Sequence, residues 1–221
     1  MKKELIYIVA GGPLEDLPIN LLKNKGQVRW IGVDRGVYTL LKNNILPERG
    51  FGDFDSVSAA EREWMETHEL SFTVYPSEKD QTDLEIALEW ALSEEPAEIV
   101  MFGVTGGRLD HSWINVQMLI KGIRSNAKVA IEDRLNRLEI KEPGAYDVER
   151  DPRYPYMSFL SFTPEVVGLT LRGFRYPLQN ETVVWGSSLC ISNEVVEENG
   201  SYSFDQGILL VVRSSDAEQE V

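Results

Sequence analysis

The sequence predicts an α/β fold: a mostly parallel-sheet N-terminal domain over residues 1–130, followed by an antiparallel β-sandwich C-terminal domain over residues 131–221. Three observations carry this. Up to about residue 130, short β-rich apolar runs alternate with stretches of helical periodicity, the texture of strands joined by crossover helices. Beyond Lys128 the helical periodicity gives way to short β-branched and aromatic segments parted by proline and glycine, which is strand-and-turn spacing. The 221 residues, 43% hydrophobic and 26% charged, suffice for one large or two small cores.

Leu5 to Ala10 (LIYIVA) is an apolar run closed by Gly11-Gly12-Pro13, a buried strand ending in a loop. Gln27 to Val33 repeats the pattern and leads through Asp34-Arg35-Gly36 into a short helix over Val37 to Asn43. A further short run covers Glu48 to Phe51. Ser58-Ala59-Ala60-Glu61 is a capping box, which starts a helix reaching about Thr67. Ser71 to Tyr75 is the next strand. Over Thr82 to Ser93, Leu84, Ala87, Leu88 and Ala91 fall on one helical face, with Glu85 and Glu89 outward. Ile99 to Val104 is a strand and His111 to Ile123 a helix. In the second domain, Met157 to Phe162, Val166 to Leu171, Thr182 to Trp185 and Ile208 to Val212 read as strands, while Glu132 to Ile140 suits either half. Trp64, Trp90 and Trp113 lie at helical positions suited to core packing, and Cys190 reads as a small core hydrophobe.

Composition narrows the chemistry. A net charge of −14 argues against nucleic-acid binding, which depends on lysine and arginine neutralising phosphates. A phosphate-bearing ligand would need a divalent metal as mediator. The single cysteine excludes an intramolecular disulfide and multi-cysteine metal sites, and fits a reducing compartment. No apolar run approaches the ~20 residues of a membrane helix, and no secretory signal opens the chain, so the expectation is a cytoplasmic protein without a membrane partner.

In open parallel sheets, ligands bind beyond the carboxyl ends of the strands. Here those loops are rich in aspartate: Asp34, Asp53 and Asp55 within Gly52-Asp53-Phe54-Asp55-Ser56, then Asp80 and Asp83. In an extended segment Asp53 and Asp55 share one side, with Phe54 packing on the other. Clustered acids repel one another unless a cation is bound, and magnesium takes hard oxygen ligands of this kind. Asp83 keeps two readings, helix capping and metal ligation. A second constellation, Thr105-Gly106-Gly107-Arg108-Leu109-Asp110-His111, runs from a strand into a helix. Its glycines admit an anion to backbone amides, the helix dipole assists, and Arg108 can fork onto phosphate oxygens. Gly11-Gly12 is either a similar cradle or a turn. His111 is either a cap or packing residue or an acid–base group. No GxxxxGK[ST] or GxGxxG fingerprint is present.

Gly11-Gly12, GDFDS at 52–56, KDQTDLEIAL at 79–88 and GGRLDH at 106–111, in that order, resemble the thiamine pyrophosphokinase family. The resemblance continues through Gly173 to Leu178 and Gly186 to Glu194, and so covers nearly the whole chain. It implies an ATP- and magnesium-binding catalytic domain over 1–130 and a thiamine-binding sandwich over 131–221. It also implies a homodimer with thiamine held between subunits. The implied reaction is attack of the thiamine hydroxyl on the β-phosphorus of ATP, giving thiamine diphosphate and AMP. Asp53, Asp55 and Asp83 would hold Mg2+ with Asp34 and Asp80 close by, and Arg108 would neutralise phosphate charge. Gly11, Gly12, Thr105, Gly106, Gly107 and Asp110 would complete the ATP site, and Ser192 and Asn193 would contact thiamine. Animal members carry a tryptophan near the final strand, whereas Gly207 to Val212 has no aromatic. Trp185 and Tyr176 are the candidates to face the thiazolium ring.

Overall fold

A computed structural model describes residues 4–18, 20–23, 28–54, 57–68, 72–74 and 80–217. The chain divides into two units, Met1–Arg134 and Leu135–Val221.

In the first unit the apolar runs become strands β1 (Leu5–Val9), β2 (Val28–Val33), β3 (Arg49–Gly52), β4 (Phe72–Val74), β5 (Glu98–Phe102) and β6 (Lys128–Glu132). They lie in the order β6-β5-β1-β2-β3-β4, every pairing parallel. Both alternate sets of residues on the central strands are buried, Ile6 and Ile8 against Val9 in β1, Ile99 and Met101 against Val100 and Phe102 in β5. That is the pattern of a parallel sheet covered on both faces. The chain winds outward from β1 through β4 and then returns to place β5 on the other side of β1. The order therefore reverses between β1 and β5, the position at which such sheets open a ligand crevice.

Helices α1 (Arg35–Lys42), α2 (Ala59–Glu66), α3 (Asp83–Ser93), α4 (Leu109–Gln117) and α5 (Ile120–Arg124) connect the strands. The capping box of α2 forms as expected: Ser58 Oγ accepts from the Glu61 amide, and the Glu61 carboxylate accepts from the Ser58 amide. Helix α3 buries Leu84, Ala87, Leu88 and Ala91, the face its periodicity marks. Outward, Glu85 and Glu89 both pair with Lys121 of α5, at 2.9 and 2.6 Å. The single helix expected from His111 to Ile123 is two, because at Leu119 and Lys121 the amides bond three residues back rather than four, to Val116 and Met118. Among the described residues, no helix is long and apolar enough to cross a membrane.

The regular elements among the described residues of the second unit are all strands: β7 (Asn136–Lys141), β8 (Gly144–Glu149), β9 (Tyr156–Ser161), β10 (Glu165–Arg172), β11 (Leu178–Val184), β12 (Asn193–Glu194), β13 (Asn199–Phe204) and β14 (Leu209–Ser214). They pair antiparallel in two groups, β12-β9-β14-β7 and β11-β10-β13-β8. The core draws Phe159, Leu209 and Val211 from the first group and Val166, Leu169, Leu171, Val183, Tyr202 and Phe204 from the second. Cys190 is buried within it. This is the expected antiparallel sandwich.

Candidate active site

The crevice begins where β1 and β5 end. The Ala10 amide donates to Phe102 O at 2.9 Å and the Gly12 amide to Gly103 O at 2.8 Å, so the two strand-end loops are zipped together. A Cβ at Gly12 would lie 2.5 Å from Gly103 O, so only glycine permits this approach. The resulting cavity, about 610 Å³, is walled by Gly11, Gly12, Asp34, Asp53, Asp83, Thr105, Gly107, Arg108 and His111.

Three of its acids come from the end of β2, the end of β3 and the start of α3. Asp34 follows β2 in a left-handed conformation (φ 49°, ψ −122°), its amide donating to Phe51 O at 2.8 Å. Its side chain does not cap α1 but reaches over Gly52, where a Cβ would stand 2.1 Å from Asp34 Oδ1. A strained residue held against a glycine is a conformation the surrounding structure must impose, and it aims this carboxylate at the cavity. Asp53 follows β3. Asp83 is the first residue of α3, and the cap is Thr82, whose Oγ1 accepts from the Glu85 amide at 3.2 Å. The cap of α3 is therefore Thr82 and not Asp83. One oxygen from each of Asp34, Asp53 and Asp83 lies within 4.8 Å of the others, and all three residues are half-buried. Such an all-carboxylate oxygen set is what a hard divalent cation takes.

The remaining expected residues divide. Asp80 is exposed and stands outside this trio. Asp55 lies outside the described residues. Phe54 is buried among Val37, Leu41, Val57 and Met65, as its apolar side chain requires. Its φ of 58° is left-handed, so the backbone is not extended at Phe54.

The anion loop runs from β5 to the N-terminus of α4. Arg108 forks onto Asp110, Nε to Oδ1 at 3.1 Å and Nη2 to Oδ2 at 2.5 Å. Hydrogen bonding to this guanidinium holds the Asp110 carboxyl down at about 2. Asp110 also accepts from the His111 amide at 2.9 Å, so the acid rather than the imidazole closes the helix start. His111 is exposed on the cavity wall.

Several residues that shape the site carried no motif. Asn115 of α4 is buried, and its Nδ2 donates to Val104 O at 2.7 Å, pinning the loop that carries Thr105. Thr105 Oγ1 donates to buried Asp133 at 2.9 Å. Arg62 donates to the carbonyls of Asp53 and Phe54 at 2.9 and 2.7 Å. The one available signal was Asn115 itself, a polar residue on the inward side of its helix. Trp113 corrects an expectation: it is 64% exposed, because the buried residue of α4 is Asn115 and Trp113 shares the opposite side with Leu109, 81% exposed. Trp64 and Trp90 are half-buried.

In the second unit, Ser192 is exposed and left-handed (φ 54°), and its amide donates to Ser158 Oγ at 2.9 Å. Asn193 is buried. Its Oδ1 accepts from the amides of Tyr176 and Glu194 at 3.0 and 2.9 Å, and its Nδ2 donates to Tyr176 O at 2.8 Å. Asn193 thus braces the loop that presents Tyr176, itself 61% exposed.

Two family models match the chain: thiamin pyrophosphokinase, catalytic domain, over residues 20–131, and thiamin pyrophosphokinase, vitamin B1 binding domain, over residues 145–209. A thiamine pyrophosphokinase of Bacillus subtilis is 46% identical over 211 residues, 96% of this chain and 99% of that protein. The crystal structure of thiamine pyrophosphokinase from Bacillus subtilis superposes with a TM-score of 0.90 at 44% identity, covering 97% of this chain and 100% of that one. The yeast enzyme structure, 13% identical with a TM-score of 0.82 over 97% of this chain and 87% of its own, shares the fold. The chain belongs to the thiamine pyrophosphokinase family of enzymes.

Proposed function

We propose that the protein transfers the pyrophosphoryl group of ATP to the hydroxyl of thiamine, giving thiamine diphosphate and AMP. The observation that carries this reading is the carboxylate trio Asp34, Asp53 and Asp83 facing the anion loop across one cavity. Asp34, Asp53 and Asp83 would hold Mg2+, with Asp55 a further ligand from the sequence. A divalent cation there supplies charge neutralisation for the acids and for the phosphates. The chain's own part is positioning and electrostatics, which is what phosphoryl chemistry chiefly requires. The amides of Thr105, Gly106 and Gly107 and the N-terminus of α4 receive the phosphates, with Gly11 and Gly12 lining the floor. Arg108 exchanges Asp110 for a phosphate oxygen pair, and Asp110 keeps the guanidinium oriented until then. Ser192 contacts thiamine directly, whereas Asn193 acts through Tyr176, whose exposed ring suits a thiazolium cation.

The working unit is a homodimer. The exposed apolar residues Leu109, Trp113 and Ile114 on α4, and Val184, Trp185, Leu189 and Ile191 in the second unit, support it, since apolar side chains left open to solvent are the material of contact surfaces. The test is the purified protein with ATP, magnesium and thiamine, scored for both products. AMP with thiamine diphosphate is expected; ADP with thiamine monophosphate would refute pyrophosphoryl transfer. Sedimentation of the same preparation as a monomer at assay concentration would refute the dimer.

A further inference from the structure

Alternate residues of a strand share a face, and the interior face of a sandwich strand is ordinarily apolar. Strand β7 departs from this. Arg137, Glu139 and Lys141, three alternate residues, line a cavity of about 200 Å³ within the second unit, together with Arg213 of β14, Tyr146 of β8 and Tyr202 of β13. Asp147 borders the cavity too, but it is exposed between the inward Tyr146 and buried Val148, so its carboxylate belongs to the other face. Facing inward are three cations and one carboxylate.

Glu139 neutralises part of this charge, with Arg137 Nε at 2.9 Å and Lys141 Nζ at 2.5 Å. Arg213 donates one N–H to Glu149 O at 3.1 Å and, among the described residues, makes no ion pair with a carboxylate. Asp151, which feels its charge, is already paired with Arg153 at 2.9 Å. A lining with three cations and one carboxylate is a local exception in a chain of net charge −14. A second observation is independent of charge. Tyr202 is only 4% exposed, its ring stacks on Tyr146 at 5.0 Å, and its hydroxyl has no hydrogen-bond partner among the described residues. The hydroxyl is not sealed from solvent, so it is open to donate into the cavity that Tyr202 lines. Burial, reinforced by Glu139, raises the Tyr202 hydroxyl above its ordinary value, so it remains a proton donor.

We propose that this inter-sheet cavity binds a small oxyanion of charge 2−, of the phosphate type, held by Arg213 and Lys141 with a hydrogen bond from the Tyr202 hydroxyl. An anion suits a lining of three cations and one carboxylate, and the volume accepts one with a few waters at ~30 Å³ each. The same charge repels a thiazolium, so this site is separate from the one proposed for thiamine.

The test is a titration of the full chain at low ionic strength with inorganic phosphate and with glycerol 1-phosphate, followed by the ring resonances of Tyr146 and Tyr202. Arg108→Gln provides a background in which the anion loop is weakened. Saturable shifts of both tyrosines are expected in the wild-type protein and in that background. Inorganic phosphate acting alone would identify a free anion, and both acting would identify a phosphomonoester group. Arg213→Gln should weaken binding at least tenfold and Tyr202→Phe several-fold, with turnover at saturating substrates unchanged in each. Tyr202→Phe is nearly isosteric and carries the test if Arg213→Gln folds poorly. Unmoved tyrosine resonances with both ligands, equal affinity in Tyr202→Phe, or equal binding of acetate would overturn the proposal.

Discussion

Replacing Asp53 by asparagine should stabilise the metal-free protein while abolishing turnover. The carboxylate oxygens of Asp34, Asp53 and Asp83 come within 4.8 Å of one another, which at an effective dielectric of about 20 is a repulsion of about 3.5 kcal/mol per pair. Asparagine removes two of the three pairs. Because the residues are only half-buried, solvent and salt screening reduce the net relief to about 1–2 kcal/mol. In a domain of this size that raises the melting temperature by roughly 2–8 °C. With magnesium the order inverts, since the wild-type trio gains a bound cation and the variant loses one ligand of three. Turnover should fall at least about a hundredfold, about 2.7 kcal/mol of transition-state stabilisation. The assay is paired: thermal melts of both proteins in chelator and in magnesium, and AMP formation from ATP and thiamine. A variant that melts lower than wild type in chelator, keeps the wild-type magnesium shift and turns over normally would refute the trio as a metal site.

Three further outcomes follow from the same geometry. His111→Asn should keep turnover within about tenfold, because Asp110 rather than the imidazole closes the start of α4; a loss of several decades with ATP binding intact would make His111 a proton carrier. Asn115→Leu strands the Val104 carbonyl and should cost about 1–3 kcal/mol in stability, visible as a lower denaturant midpoint at unchanged slope. For Glu139, burial pushes the carboxyl up, but Lys141 and Arg137 outweigh it and hold it below the ordinary value. Its stabilising contribution is therefore present above the unfolded carboxylate value and is lost as pH falls through the lower folded one. The stability gap between wild type and Glu139→Gln should close below about pH 4, and a gap that widens on acidification would contradict the pairing.

Local pattern alone determined a good deal of this protein. The apolar runs around Leu5, Val28 and Ile99 became parallel strands, the face Leu84-Ala87-Leu88-Ala91 became buried, and Ser58 with Glu61 became a capping box. Each depends on interactions between residues a few positions apart, which composition and spacing record directly. The family resemblance likewise lay in ordered short motifs, and the placing of Asp34 and Asp53 at strand ends and of Asp83 near a helix start was legible. What only the tertiary structure decided was which of those acids meet. That depends on β2 and β3 lying side by side and on α3 returning over them, pairings separated by dozens of residues. Asp34 reaches the cavity through a left-handed backbone pressed against Gly52, and Phe54 leaves the extended conformation; neither has a local sequence signature. Strand β7 alternates polar and apolar residues as a strand does, but alternation does not say which face turns inward, and here Arg137, Glu139 and Lys141 line a cavity. Trp113 looked like core and is exposed, because helical periodicity reports which residues share a face but not which face the rest of the molecule covers.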